Sequence, residues 1–437
     1  MFGINKKKQS VETSQELIQD EEFKDKHRSN NKVFTRVRKL HFSLLLVLIL
    51  QKGMKSIQLL FNEFTTTFDL ETVSNSAFTQ ARANLSYTAF IELNQKAVVD
   101  VMYSDDNIKL YKGMRVMAID GSKILLPDTA EITEEFGQIS YSNDHPDVKG
   151  SHNYALASVM YDVLNRVAVD STLGAARAYE VDLAIGHLEH SLDNDLLLYD
   201  RNYPSYFHLA TLCKHDKNYV IRCSAASFSQ ARYMLKGEDP DSQIVTLVPH
   251  HSKRQEIIDN NLPEKITVRF VRVLLNTGEY EVLVTSLLDE EQFPSEEFLD
   301  IYHMRWGVEG FYAILKTRLN LENFSGKTVH SVYQDFYSTI YLTGLESILT
   351  ADIDEQLALP ETKNEQKVNR AVSFNAIKNQ AVELLCSNED SDVVIKRLEK
   401  LFLTNPVSIR PQRNVLRQKR SSRHQVNHLK RKRKITF

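Results

Sequence analysis

Between Tyr302 and Lys316 the chain carries four polar groups whose types suit a polyanion: Tyr302, Arg305, Glu309 and Lys316, spaced Y-x2-R-x3-E-x6-K. On one continuous helix, at about 100° per residue, all four fall within an arc of about 60°. Phe311, Ile314 and Leu315 lie opposite them. An arginine, a lysine and a phenol bind phosphate oxygens, and a carboxylate among them can hold a hard divalent cation. The same spacing also fits an ordinary exposed face in which Arg305 and Glu309 pair at i,i+4. Helix geometry leaves both readings open.

The elements that must position such groups follow from periodicity. From Val33 to about Ser104 apolar residues recur at three and four, the helical spacing, and Ser74 stands as an N-cap for a helix through Leu85. That helix would present Thr79, Gln80, Arg82 and Asn84, either to DNA or to solvent. Arg115–Asp120 reads as a buried strand with Ser122–Leu126 as its neighbour, and Ala155–Leu164 with Val167–Leu173 as a hairpin. Ala175–Leu192 reads as a helix, Asp195–Asp200 as a strand ending on a carboxylate, Pro204–Leu212 as a helix and Asn218–Cys223 as a strand. This order is mixed α/β. A second β-rich stretch, 224–290, includes a hairpin turn at Asn276-Thr277-Gly278 before helical pattern resumes at Pro294.

The tyrosine–arginine–glutamate–lysine spacing resembles the signature of the YREK-signature group of bacterial insertion-sequence transposases, within the insertion-sequence-four (IS-four) family of DDE transposases. Further segments resemble that family. Ala118-Ile119-Asp120-Gly121-Ser122 looks like its first catalytic aspartate and Leu198-Tyr199-Asp200-Arg201-Asn202-Tyr203 like its second. Phe78-Thr79-Gln80-Ala81-Arg82 and Glu135-Phe136-Gly137 match other stretches, and the resemblance spans roughly residues 34 to 433.

The resemblance implies an α/β fold with a ribonuclease-H-like catalytic core interrupted by a β-rich insertion, between an all-helical N-terminal domain and a helical C-terminal region. The expected parts are a flexible arm (1–33), a helical DNA-end-binding domain (34–110), the core (111–223 and 291–350), the insertion (224–290), the C-terminal helices (351–409) and a basic tail (410–437). Asp120, Asp200 and Glu309 are then expected to be both catalytic residues and ligands of two Mg²⁺ ions, with Mn²⁺ able to substitute. Tyr302, Arg305 and Lys316 are expected to hold DNA phosphates, as are Arg36, Arg38, Lys39 and Arg82, and Arg410, Arg413, Arg417 and Arg420 in the tail. The implied activity is cleavage at insertion-sequence ends and strand transfer into target DNA. A metal-dependent endonuclease without strand transfer, or an inactive competitor that binds the ends, are the alternatives. The implied partners are terminal inverted repeats, target DNA and a second copy of the chain, in a bacterial cytoplasm at the nucleoid and without a membrane.

Other candidates receive plainer readings. Asp128, Asp162 and Asp170 are taken as turn or surface residues, and His187, His190, His250 and His251 lack a zinc pattern. Trp306, the one tryptophan, is read as a core-packing residue.

Composition agrees once it is divided. The 437 residues hold 54 Lys and Arg against 57 Asp and Glu, a formal charge of −3 that argues against a nucleic-acid partner. Eleven of those cations fall in residues 410–437, which hold no carboxylate. The remaining 43 basic against 57 acidic residues leave the body at −14, an acidic body with a basic tail. Three cysteines without CxxC spacing exclude a disulfide framework, and the longest apolar run, Leu40–Leu50, is too short to span a bilayer, which needs about 20 residues.

Overall fold

The computed structural model describes residues 4–35, 39–53, 57–67, 73–142, 149–275, 277–359, 362–387 and 390–409. The chain divides into two compact units. One comprises Met1–Ile108, Lys123–Ala155 and Ala313–Phe437; the other comprises Lys109–Ser122 and Leu156–Tyr312. The main strands are β1 (Arg115–Leu125), β2 (Gln138–Ser142), β3 (Lys149–Asp162), β4 (Val167–Ala175), β5 (Asp195–Tyr199), β6 (Asn218–Cys223), β7 (Ser242–Leu247), β8 (Ile266–Leu274) and β9 (Tyr280–Thr285).

The second unit is built on a mixed sheet with strand order β3-β1-β5-β6-β9-β8-β7, and β4 pairs with β3. β1, β5 and β6 run parallel, whereas β9, β8 and β7 continue the sheet antiparallel. Val116–Ile119 and Leu196–Tyr199 have no exposed surface. Runs of that kind, apolar without alternation, belong to central parallel strands covered on both faces. The register pairs Arg115 with Asp195 and Ala118 with Leu198. At its start the buried Arg115 guanidinium grips Asp195 through two hydrogen bonds of 2.7 Å. Continued for two residues, the same register brings Asp120, midway along β1, level with Asp200, which follows the last residue of β5.

Two expectations change here. Residues 224–290 are not a separate insertion in pairing terms: β9 bonds directly to β6, so these strands extend the same sheet. The pair of strands expected at Arg115–Asp120 and Ser122–Leu126 is the single strand β1. Of the expected hairpin turn, Asn276 lies outside the described residues. Gly278 has φ 82°, a left-handed conformation that costs glycine little.

The first unit is mainly helical. The apolar segment forms the buried helix Phe42–Leu50, capped by the His41 side chain. Ser74 caps the helix Asn75–Arg82 as expected. The helix Val329–Leu349 is buried on almost every side. At Gly344 a Cβ would sit 2.5 Å from Val98 Cγ1, so glycine permits the close approach of two helices. β2 lies antiparallel to the first residues of β3.

The arm expected at 1–33 is instead ordered from Ile4, where the helix Ile4–Gln19 buries Val11 and Ile18. Its Lys7 is fully buried and pairs with Glu399 and Asp352. Residues 34–108 and 351–409 therefore share one unit with this helix. No described helix is long and apolar enough to cross a membrane.

Candidate active site

In the second unit, the middle of β1 and the residue after β5 supply two carboxylates. Asp120 Oδ1 accepts the Gly121 N–H at 2.9 Å, and Asp200 Oδ1 accepts the Asn202 N–H at 2.7 Å. The glutamate helix supplies the third. It is not the continuous helix that the spacing suggests: Phe298–His303 and Trp306–Ala313 are separate helices joined through Met304 and Arg305, and Ile314–Arg318 winds as a π-helix. The single shared arc therefore does not hold over the whole segment.

The break turns Arg305 inward. Its side chain is 4% exposed, donates from Nη2 to Glu309 Oε1 at 2.7 Å and places Nη1 3.7 Å from Asp120 Oδ2. One guanidinium thus joins carboxylates from a strand and from a helix. Burial pushes the Asp120 carboxyl up to about 7; Arg305 opposes the rise, and the charges of Asp200 and Glu309 add to it. Burial likewise pushes the Tyr302 phenol well above its ordinary value, so it remains a donor. The Tyr302 hydroxyl and Arg305 Nε are both buried without a hydrogen-bond partner among the described residues. Unsatisfied buried donors are uncommon and call for an explanation.

Trp306 departs from its expected place. It is 46% exposed, with its ring centroid 5.0 Å from the Arg305 guanidinium, and so does not pack in the core.

Three contributors escaped the sequence reading. The buried Tyr312 hydroxyl donates to Asp120 O and Ala157 O, each at 2.9 Å, fixing the backbone that carries Asp120. Tyr312 lies one helical turn after Glu309, which is the signal that could have found it. Glu180 packs against Gly121, within 3.2 Å of where a Cβ would stand, and brings a further carboxylate beside Asp120. Nothing local marks it, because its neighbour is distant in sequence. At Gly307 a Cβ would lie 2.9 Å from Val163 Cγ1, so the helix comes this close to the β3–β4 turn only with glycine.

The remaining expected residues fall elsewhere. Lys316 belongs to the first unit, where its Nζ donates to Lys123 O at 2.7 Å. Lys39 is exposed. Arg36, Arg38, Arg410, Arg413, Arg417 and Arg420 lie outside the described residues. Arg82 is a correction. Instead of facing outward it is buried in the first unit, bonded to Gln334 Oε1 (2.8 Å), Ser325 Oγ (2.8 Å) and Asp335 Oδ1 (3.2 Å). Asp162 holds the β3–β4 turn through Leu164 N and both nitrogens of Asn165, and Asp170 bonds His187 Nδ1 at 2.5 Å.

No three His, Cys, Asp or Glu side chains among the described residues are arranged to hold a metal ion. Beside Asp120 the positive charge is supplied by Arg305, which engages Glu309. The donor chemistry nevertheless fits a hard divalent cation. The site offers carboxylate oxygens and no sulfur or imidazole, and their mutual repulsion is what such a cation relieves.

A family model described as the transposase DDE domain matches residues 111–342, more than half of the chain. The chain belongs to that family. The transposase DDE domain therefore contains Asp120, Asp200, Arg305 and Glu309, and its members work with divalent metal ions. Transposase InsG for insertion sequence element IS4, from Escherichia coli (strain K12), is 26% identical over 250 residues, covering 56% of this chain and 53% of that protein. The chain thus spans about half the length of the curated relative it matches. Among solved structures, the piggyBac transposase synaptic complex with hairpin DNA aligns over 95% of this chain and 86% of its own, with 9% identity and a TM-score of 0.45. That is too distant to assign a shared fold.

Proposed function

We propose that the protein is a cut-and-paste DNA transposase that cleaves the ends of its insertion sequence and joins them to target DNA. The observation that carries this reading is the convergence in the second unit. The strand register levels Asp120 with Asp200, and Arg305 ties Asp120 to Glu309.

Asp120, Asp200 and Glu309 are the residues that would hold divalent metal, and for Glu309 this means exchanging its bond with Arg305. Two Mg²⁺ ions, replaceable by Mn²⁺, would activate the attacking water and neutralise the leaving 3′ oxygen. Arg305, once released, and Tyr302 offer the buried donors that lack partners, and a non-bridging phosphate oxygen is an acceptor of the right kind. Their part, shared with Lys316, is to hold the phosphates of the transferred strand and offset their charge. The first step is hydrolysis of a phosphodiester; in the second, the freed 3′-OH attacks a target phosphodiester and displaces a 3′ oxygen.

The same reading makes the β1-β5-β6 sheet and the glutamate helix a ribonuclease-H-like core. It also places two copies of the chain on paired terminal inverted repeats, in the bacterial cytoplasm at the nucleoid. The test is to incubate the protein with end DNA, Mg²⁺ and a supercoiled target. Wild type should give both cleaved ends and joined products. Asp120→Asn, Asp200→Asn and Glu309→Gln should lose both while retaining end binding, and Lys316→Ala should weaken end binding more than metal binding. Wild-type cleavage by any carboxylate variant would overturn the assignment of that residue, and cleavage without joined products would leave a plain endonuclease.

A further inference from the structure

The first unit contains a cavity of about 790 Å³, within the range of roughly 300–1,000 Å³ usual for sites that enclose small organic molecules. Four cations line it, Lys52, Arg318, Arg370 and Lys378, against the one carboxylate of Glu63. In a body that carries −14 outside the tail, such a local excess of positive charge runs against the average.

The four are not equivalent. Arg370 is ion-paired with Glu346, and Lys52 donates to the carbonyls of Asn320 (3.2 Å) and Leu321 (2.9 Å). Lys378 donates to Lys52 O and has no ion pair among the described residues. Arg318, which is exposed, has neither a hydrogen bond nor an ion pair there. Burial and the neighbouring Lys52 charge hold the Lys378 ammonium down to about 7, against the opposing pull of Asp335. Phe64 and Phe374 add an apolar wall to the same cavity.

We infer that this cavity binds a nucleotide, its phosphate on Lys378 and Arg318 and its base along the Phe64–Phe374 wall. That nucleotide is either a free nucleoside monophosphate or one unpaired unit of a DNA strand, since both present the same groups. The inference does not depend on the reading of the carboxylate site.

The test is calorimetric titration of the full chain with dAMP, with inorganic phosphate and with a short single-stranded oligonucleotide, repeated on Lys378→Gln and Arg318→Ala. Arg318 is exposed, so its substitution leaves folding intact, and far-UV circular dichroism with thermal melting checks both variants. The expected result is saturable binding by wild type that weakens at least tenfold in each variant. Binding of dAMP that weakens in both variants while oligonucleotide binding does not identifies a free-nucleotide site. An effect of the substitutions on the oligonucleotide alone identifies a DNA strand as the source. Phosphate binding as tightly as dAMP would overturn the role of the apolar wall. No binding of any probe, or equal binding by wild type and both folded variants, would overturn the proposal.

Discussion

Replacing Arg82 with leucine separates a structural role from a DNA-contacting one. The guanidinium donates to Gln334, Ser325, Asp335 and the Ser331 carbonyl, and the Asp335 carboxylate has no exposed surface. Removing one partner of a buried ion pair strands the other charge, at about 3–5 kcal/mol. Asp335 keeps the Ser325 N–H and hydroxyl as donors, which places the expected loss near the lower end, about 3 kcal/mol. Against a typical total of about 5–15 kcal/mol, that is a large fraction of the stability. Urea unfolding followed by far-UV circular dichroism measures it. A second variant, Arg82→Leu with Asp335→Leu, removes both charges and should recover at least half of the loss. End-DNA affinity, measured well below the variant's melting temperature, should be unchanged. A single variant within about 1 kcal/mol of wild type, or a double variant showing the plain sum of both single losses, would refute the reasoning. Weakened end binding by the folded variant would return Arg82 to the DNA interface.

Three further outcomes rest on equally specific features. Because burial raises the Asp120 carboxyl to about 7, the native chain binds that proton more tightly than the unfolded chain does. The contribution of Asp120 to metal-free stability should therefore be full below about pH 4 and be lost as pH rises through 7, so that the difference between wild type and Asp120→Asn changes over that window and Mg²⁺ offsets the loss at pH 8; thermal melting of both proteins with and without Mg²⁺ measures it, and an unchanging difference between them would contradict it. Gly344→Ala should cost about 1–3 kcal/mol in denaturant unfolding, because the methyl would stand 2.5 Å from Val98, and a neutral effect would mean that the two helices separate freely. Ending the chain at Ile409 removes eleven cations, so the log–log salt slope of DNA binding should become shallower by about 0.9 for each phosphate that the tail no longer neutralises, while sequence preference persists; an unchanged slope would deny the tail a role.

What could be read from sequence was local. The apolar runs that end on Asp120 and Asp200, the hairpin around Asn165, the Ser74 cap and the spacing from Tyr302 to Lys316 are all visible within a few residues of themselves. The parts that escaped depend on distant partners. Arg82 looked solvated because its helix face is polar, but the residues that satisfy it, Gln334 and Asp335, come some two hundred and fifty positions later. The stretch 224–290 looked like an insertion because nothing in β9 names β6 as its neighbour. Residues 4–19 looked like an arm because their three consecutive lysines are hydrophilic, yet Lys7 meets Glu399 and Asp352 in the interior. The break at Met304–Arg305 has no glycine or proline to announce it. Its effect on Arg305 is larger than any change of residue type would suggest.

The Arg115–Asp195 clamp has a consequence for how such a chain tolerates change. Side chains on a strand alternate faces, so a single residue inserted or deleted between Arg115 and Asp120 would carry Asp120 to the opposite face while the clamp kept the strands paired. The Asp120 carboxylate would then leave the side of the sheet on which Arg305 meets it. From Arg115 to Asp120, as from Asp195 to Asp200, the spacing of five residues acts as a fixed gauge that a change of length would break.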